Sequence, residues 1–213
     1  MSVGDSPPSV TTSSLESVFQ ARSNCENSNG VSLGTRPEQS ICCSTGGQWG
    51  GHGRFGEAGR MPPMRTVLFI CTGNTCRSPL AEGIARDMIG SGRVAGIESD
   101  LFVASAGVHA EDGVPTSPES IDALERRGIE FHGTSTGLTR EMIEAADLVL
   151  GMTRSHVEVA RGIAPDASTP IERLDPDGDI DDPFGQSQAV YDHVASRIEA
   201  VIPDRLQSLL ATI

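Results

Sequence analysis

Thr66-Val67-Leu68-Phe69-Ile70-Cys71-Thr72-Gly73-Asn74-Thr75-Cys76-Arg77-Ser78-Pro79 joins a run of β-branched and large apolar residues to a polar loop and a helix start. Residues 66–70 have the short, unbroken apolar character of a strand buried on both faces, which is what a parallel sheet requires. Pro79 is tolerated in the first turn of a helix, where a missing N–H costs no hydrogen bond. That helix is expected to open at Pro79 and to run to about Ile89, where Gly90 and Gly92 stop it.

The alternation continues downstream. Residues 101–104 read as a second strand that ends at Ser105-Ala106-Gly107, and 118–127 as a helix closed by Gly128. Residues 139–145 form a short helix capped by the Thr139 hydroxyl, 147–152 a third strand, and Thr153 opens a helix to about Arg161. Residues 169–174 are a weaker fourth strand. After a Gly- and Asp-rich loop, Val190, Val194, Ile198 and Val201 mark a helical stripe within 187–210, expected to be interrupted at Pro203. The predicted fold is α/β: four parallel strands with helices on both faces. Ligands of such sheets bind beyond the carboxyl ends of the strands.

Composition divides the chain before this domain. Residues 1–60 hold eleven Ser, ten Gly and three Pro with no periodic apolar run, and cannot bury enough surface to offset their ordering entropy. They are read as a disordered tail, leaving 61–213 as the domain. No apolar stretch reaches the length of a signal-peptide core or a membrane span, so a cytoplasmic protein is expected. All sixteen basic residues are Arg, and outside the tail acids outnumber them by twelve. Such a surface repels nucleic acid and anionic lipid, and neither is expected as a partner. Three of the five Cys (Cys25, Cys42, Cys43) fall in the tail, and no ligand-like spacing of Cys or His recurs, which speaks against a disulfide framework or a bound metal.

The loop after the first strand carries the chemistry. Five residues separate Cys71 from Arg77, enough for the backbone to curl with successive N–H groups pointing inward. Gly73 supplies conformational freedom for that curl, and the following helix adds its positive end. Thr72, Gly73, Asn74, Thr75 and Cys76 would form an oxyanion cradle. Arg77 at its rim can hold two phosphoryl oxygens with a planar fork. The same positive field favours thiolate over thiol at Cys71, and Ser78 is placed to donate a hydrogen bond to that sulfur.

This loop resembles the signature of the low-molecular-weight protein tyrosine phosphatases. The likeness continues through Ser105-Ala106-Gly107, Gly113, Pro115, Gly128-Ile129, Leu138-Thr139, Ala146-Asp147-Leu148-Val149-Leu150, Met152-Thr153 and His156 to Asp182-Pro183-Phe184-Gly185, covering residues 65–211. It implies a covalent phosphocysteine at Cys71, no metal or other cofactor, phosphorylated proteins as substrates, and a general acid in an Asp-Pro pair. Two such pairs compete, Asp175-Pro176 and Asp182-Pro183; Asp182 is chosen because Phe184, an aromatic wall for the substrate, and a helix follow it as in the family. One departure is visible: the family's usual His falls at Gly133 here, with His132 one place earlier, which questions any support of the loop by His132.

Cys76 is either a small packing residue or the partner of Cys71 in a reversible disulfide. Tyr191 is read as core. A thioredoxin-coupled arsenate reductase of this fold would need a later Cys pair, and no Cys follows Cys76. A non-catalytic phosphoprotein-binding module would dispense with the nucleophile or the acid. Within the enzyme class, phosphoarginine is preferred to phosphotyrosine as substrate, because the resemblance is closest to the bacterial protein arginine phosphatase branch. That branch carries Thr at the position of Thr75, where tyrosine-directed members carry a bulky aliphatic. A monomer is the working expectation.

Overall fold

Cys71 ends the strand that lies inside the sheet, and both of its neighbours end beside it. The computed structural model describes residues 65–94 and 101–210, and the tail expected over 1–60 lies outside the described residues. Strands β1 (Arg65–Cys71), β2 (Leu101–Gly107), β3 (Leu148–Gly151) and β4 (Ile171–Arg173) form one parallel sheet in the order β2-β1-β3-β4. Cys71 pairs with Gly107 and Ile70 with Gly151, so three carboxyl ends meet at one edge. That edge is where the loop 72–76 emerges.

Helices α1 (Arg77–Gly90), α2 (Pro118–Glu125), α3 (Arg140–Ala145), α4 (Arg154–Ile163) and α5 (Gln188–Leu210) cover the sheet on both sides. The period of two in β1 sorts its side chains. Val67, Phe69 and Cys71 face a core shared with Leu80 and Ile84 of α1, Leu124 of α2 and Ile198 of α5. Leu68 and Ile70 face the other core, with Ile143 of α3 and Val157 and Ala160 of α4. Both faces being buried explains why residues 66–70 carry no polar alternation.

Two expectations need correction. Helix α1 begins at Arg77 rather than Pro79, because Leu80 N already bonds Cys76 O at 3.1 Å. Helix α5 passes through Pro203 without interruption. An interior Pro costs roughly 3 kcal/mol. Ile198, Ile202 and Leu206 are all fully buried on one stripe flanking it, and each contributes about 1.5–3 kcal/mol of burial, which outweighs the lost bond. Thr139 caps α3 through Met142 N, and Gly128 takes the left-handed φ of 74° that ends the α2 segment. Among the described residues no helix is long and apolar enough to cross a membrane.

Candidate active site

The loop leaves β1 at Cys71 and is shaped by what its carbonyls bond. Val108 N takes Cys71 O, His109 N takes Thr72 O and Ser117 N takes Thr75 O, each at 2.9 Å. In a trans peptide the N–H lies opposite the C=O. With these carbonyls turned out toward the β2 exit and the α2 start, the N–H groups of Thr72, Gly73 and Cys76 turn inward. The curl needs one left-handed residue, and it is Asn74, with φ of 53°, rather than Gly73. A Cβ at Gly73 would meet only Thr75 Oγ1 at 3.7 Å, an ordinary contact, so the freedom ascribed to that glycine is not used here.

Asn74 can hold this conformation because its side chain is tied at both ends. Its Nδ2 donates to Ser78 Oγ at 2.9 Å and to Ser105 Oγ at 2.8 Å, while Oδ1 accepts from Thr136 N at 2.8 Å. Ser105 in turn donates to the buried Glu82, whose carboxyl is pushed up by burial against the opposing pull of Arg86. Ser78 Oγ accepts from Asn74 and lies 3.0 Å from Cys71 Sγ, closer than the 3.4 Å to Ala106 O, the other acceptor within reach of its proton. Asn74 N donates to the same sulfur at 3.3 Å. Cys71 is buried, and a backbone N–H and a hydroxyl converge on its sulfur.

Arg77 is buried at the start of α1. Its Nη1 donates to Ile180 O at 3.2 Å, and Nη2 donates to Asp182 Oδ2 at 2.7 Å and more weakly to Thr72 Oγ1 at 3.4 Å. Its Nε is buried without a hydrogen-bond partner. The Asp182 side chain is half exposed and Phe184 is 75% exposed, with Phe184 N donating to Asp182 Oδ1 at 3.2 Å. The competing Asp175 sits elsewhere: it is buried, takes both Arg197 Nε and Nη2 on one oxygen at 3.0 and 2.8 Å, and closes a turn with Asp177 N. Asp182 therefore faces Arg77 whereas Asp175 fastens the loop to α5.

Thr75 is half-buried, and its Oγ1 lies 3.6 Å from Cys76 Sγ. That sulfur is 3.5 Å from the Tyr191 hydroxyl, which is buried and whose phenol is pushed up by burial and by Cys76. His132 points outward to Glu130 and gives the loop no support. Beside it, Phe131 packs so close to Gly133 that a Cβ there would come within 2.8 Å of its ring. Among the described residues no group of His, Cys, Asp and Glu is arranged to hold a metal.

Besides the ties of Asn74, the sequence left a contact of His156 unseen. His156 caps α4 with Thr153, and its Nε2 also reaches Thr72 Oγ1 at 2.9 Å. The helical capping pattern was visible in the sequence, but nothing local marks a bond across 84 positions of chain.

Comparison with known proteins bears on the family and the fold. Residues 66–212 match the family described as low molecular weight phosphotyrosine protein phosphatase. A protein-arginine-phosphatase of Geobacillus stearothermophilus is 37% identical over 68% of this chain and 96% of its own. The low molecular weight protein-tyrosine-phosphatase Etp of Escherichia coli strain K12 is 31% identical over 63% and 87%. A solved structure of the YwlE arginine phosphatase, a cysteine-to-serine mutant with a phosphorylated active-site serine, is 30% identical and superposes over 69% of this chain and 97% of its own with a TM-score of 0.63.

Proposed function

The chain belongs to the low molecular weight phosphotyrosine protein phosphatase family, a family of cysteine-based phosphatases, and we propose that it releases phosphate from phosphoarginine in cytoplasmic proteins through a phosphocysteine at Cys71. Residues 61–213 would carry this activity as a monomer. The observation that carries the reading is a buried cysteine sulfur that accepts from Asn74 N and lies 3.0 Å from the Ser78 hydroxyl, which can donate to it once it is thiolate. Donors to sulfur favour the thiolate, which is the attacking form.

In the first step the Cys71 thiolate attacks phosphorus and the bond from phosphorus to the leaving nitrogen breaks. Asp182 supplies the proton that the departing guanidine takes up. The inward N–H groups of Thr72, Gly73 and Cys76 hold the equatorial oxygens, and Arg77 presents Nε and Nη2 as a fork. In the second step Asp182 takes a proton from water, the water oxygen attacks phosphorus, and the sulfur–phosphorus bond breaks to regenerate thiolate and inorganic phosphate. Phe184 at the rim contacts the substrate side chain.

Thr75 supports the choice of phosphoarginine. A short hydroxyl-bearing residue there offers less apolar contact to a phenyl ring than a bulky aliphatic would. A carboxylate such as Asp182 also suits a guanidinium leaving group. Phosphotyrosine is the second reading, favoured by the exposed Phe184 ring. Phosphate release from phosphoarginine and phosphotyrosine peptides, measured side by side, tests the proposal. Thr75→Ile is expected to shift the kcat/KM ratio at least about tenfold toward phosphotyrosine, near 1.4 kcal/mol of differential binding. An unchanged ratio means that Thr75 only packs.

A further inference from the structure

The reaction above leaves His156 without a task, although among the described residues it is the one buried imidazole that touches the loop. Its Nδ1 faces Thr153 N at 3.1 Å. A backbone N–H can only donate, so Nδ1 must present its lone pair, and the neutral ring then carries its proton on Nε2. That proton is directed at Thr72 Oγ1, 2.9 Å away. The second lone pair of the same oxygen accepts from Arg77 Nη2. A single chain of bonds therefore runs from the capping box of α4, through the imidazole and one hydroxyl, to the guanidinium.

The arrangement matters because of what else holds Arg77. Its anchors are Ile180 O on Nη1 and, on Nη2, Asp182 and Thr72. Asp182 is half exposed and has to leave the guanidinium to serve as an acid. What remains is Ile180 O and Thr72. Thr72 is itself exposed, so packing does not choose its rotamer, and an untethered hydroxyl would swing among staggered positions. His156 removes that freedom.

We propose that His156 is a positioning residue that acts through Thr72 to keep the Arg77 guanidinium aligned with the loop once Asp182 disengages. This rests on the phosphatase reading. The ring's surroundings agree with a neutral donor: burial and Arg77, with a smaller push from His109, outweigh Asp182 and Asp179 and hold its pKa down to about 4. A charged ring would place a second cation against Arg77 and would turn an N–H toward the Thr153 amide.

The two ring nitrogens allow the roles to be separated. His156→Asn keeps an acceptor near the Nδ1 position for the cap and deletes the donor to Thr72, whereas His156→Gln keeps a donor near the Nε2 position and weakens the cap. Full-length variants are assayed for kcat, KM, vanadate affinity and Tm. Because the tie acts on transition-state geometry, His156→Asn should lower kcat and vanadate affinity each by about tenfold, with KM within about twofold. His156→Gln should recover most of that loss while its Tm falls further. A purely structural histidine would instead make activity follow Tm in both.

Thr72→Val removes the shared acceptor from an exposed position and guards against a histidine variant that fails to fold. It should cost about as much as His156→Asn, and the double variant should cost no more than either alone. Additive losses, or full vanadate affinity in Thr72→Val, overturn the proposal. Vanadate binding reports the tie even in a chain that releases no phosphate from either peptide, so the two readings fail separately.

Discussion

Arg77 Nη2 and Asp182 Oδ2 stand 2.7 Å apart, so the guanidinium and the carboxylate each occupy a group that the other would release for turnover. An oxyanion has to compete with Asp182 for Arg77. Asp182→Asn weakens that competition. Phosphate or vanadate should bind the variant about threefold more tightly, the scale of a partly exposed ion pair. Turnover should fall, most of all for poor leaving groups that need the proton. Inhibition constants and a leaving-group series check both halves.

Asp175→Ala should act on stability instead. It breaks a carboxylate that two Arg197 nitrogens share, at a cost of about 1–3 kcal/mol, visible as a lower Tm. Catalysis per folded molecule should stay near wild type. A larger loss of kcat from Asp175→Ala than from Asp182→Ala would mean that the acid has been misassigned.

Gly107 ends β2 directly beside the loop. A Cβ there would lie 2.7 Å from Thr72 O and 2.9 Å from Asn74 N, both backbone atoms that cannot swing aside. Gly107→Ala should displace the cradle and lower kcat/KM by at least about a hundredfold, since sub-ångström placement governs such sites. Wild-type kinetics in this variant would show that the loop is softer than its hydrogen bonds suggest.

Cys76 shares the loop with Cys71, and its sulfur rests 3.5 Å from the Tyr191 hydroxyl. Peroxide should oxidise the Cys71 thiolate to a sulfenic acid, which the Cys76 thiol then converts to a disulfide with loss of water. Thiol reductants should restore activity. In Cys76→Ser the sulfenic acid has no resolving thiol and climbs to sulfinic acid, so inactivation should become irreversible. Equal recovery in both proteins refutes the switch.

His156 makes stability depend on pH. Its folded pKa lies near 4, below the ordinary value of 6.5, so between these the unfolded chain binds more protons. The contribution is fully present above about pH 6.5 and is lost as pH falls toward 4, with a size of about 2 kcal/mol after allowance for solvent screening. Denaturant titrations across this window should show a slope that flattens in His156→Gln.

The parts legible in the sequence are those that depend on neighbours along the chain. The unbroken apolar run of β1, the helix starts at Thr139 and Thr153, and the stop at Gly128 are all local. The start of α1 was misplaced by two residues because Pro79 is compatible with either position, and only the Cys76 carbonyl decides between them. The passage of α5 through Pro203 depends on how deeply Ile198, Ile202 and Leu206 are buried, which no window of sequence states. At the site, the spacing of Cys71, Arg77 and Ser78 was readable. The hub at Asn74 was not, since its partners Ser105 and Thr136 come from distant segments.

The sheet order gives the nucleophile and the acid unequal security. Strand β1 is interior and flanked by β2 and β3, whereas the segment bearing Asp182 follows β4, an edge strand of three residues. Amide protons of β1 should exchange only through global unfolding, and those around residues 175–182 through cheaper local opening. In urea well below the main transition, turnover of poor leaving groups should therefore decline first. Alkylation kinetics at Cys71 and turnover of an activated aryl phosphate should hold until the sheet itself gives way.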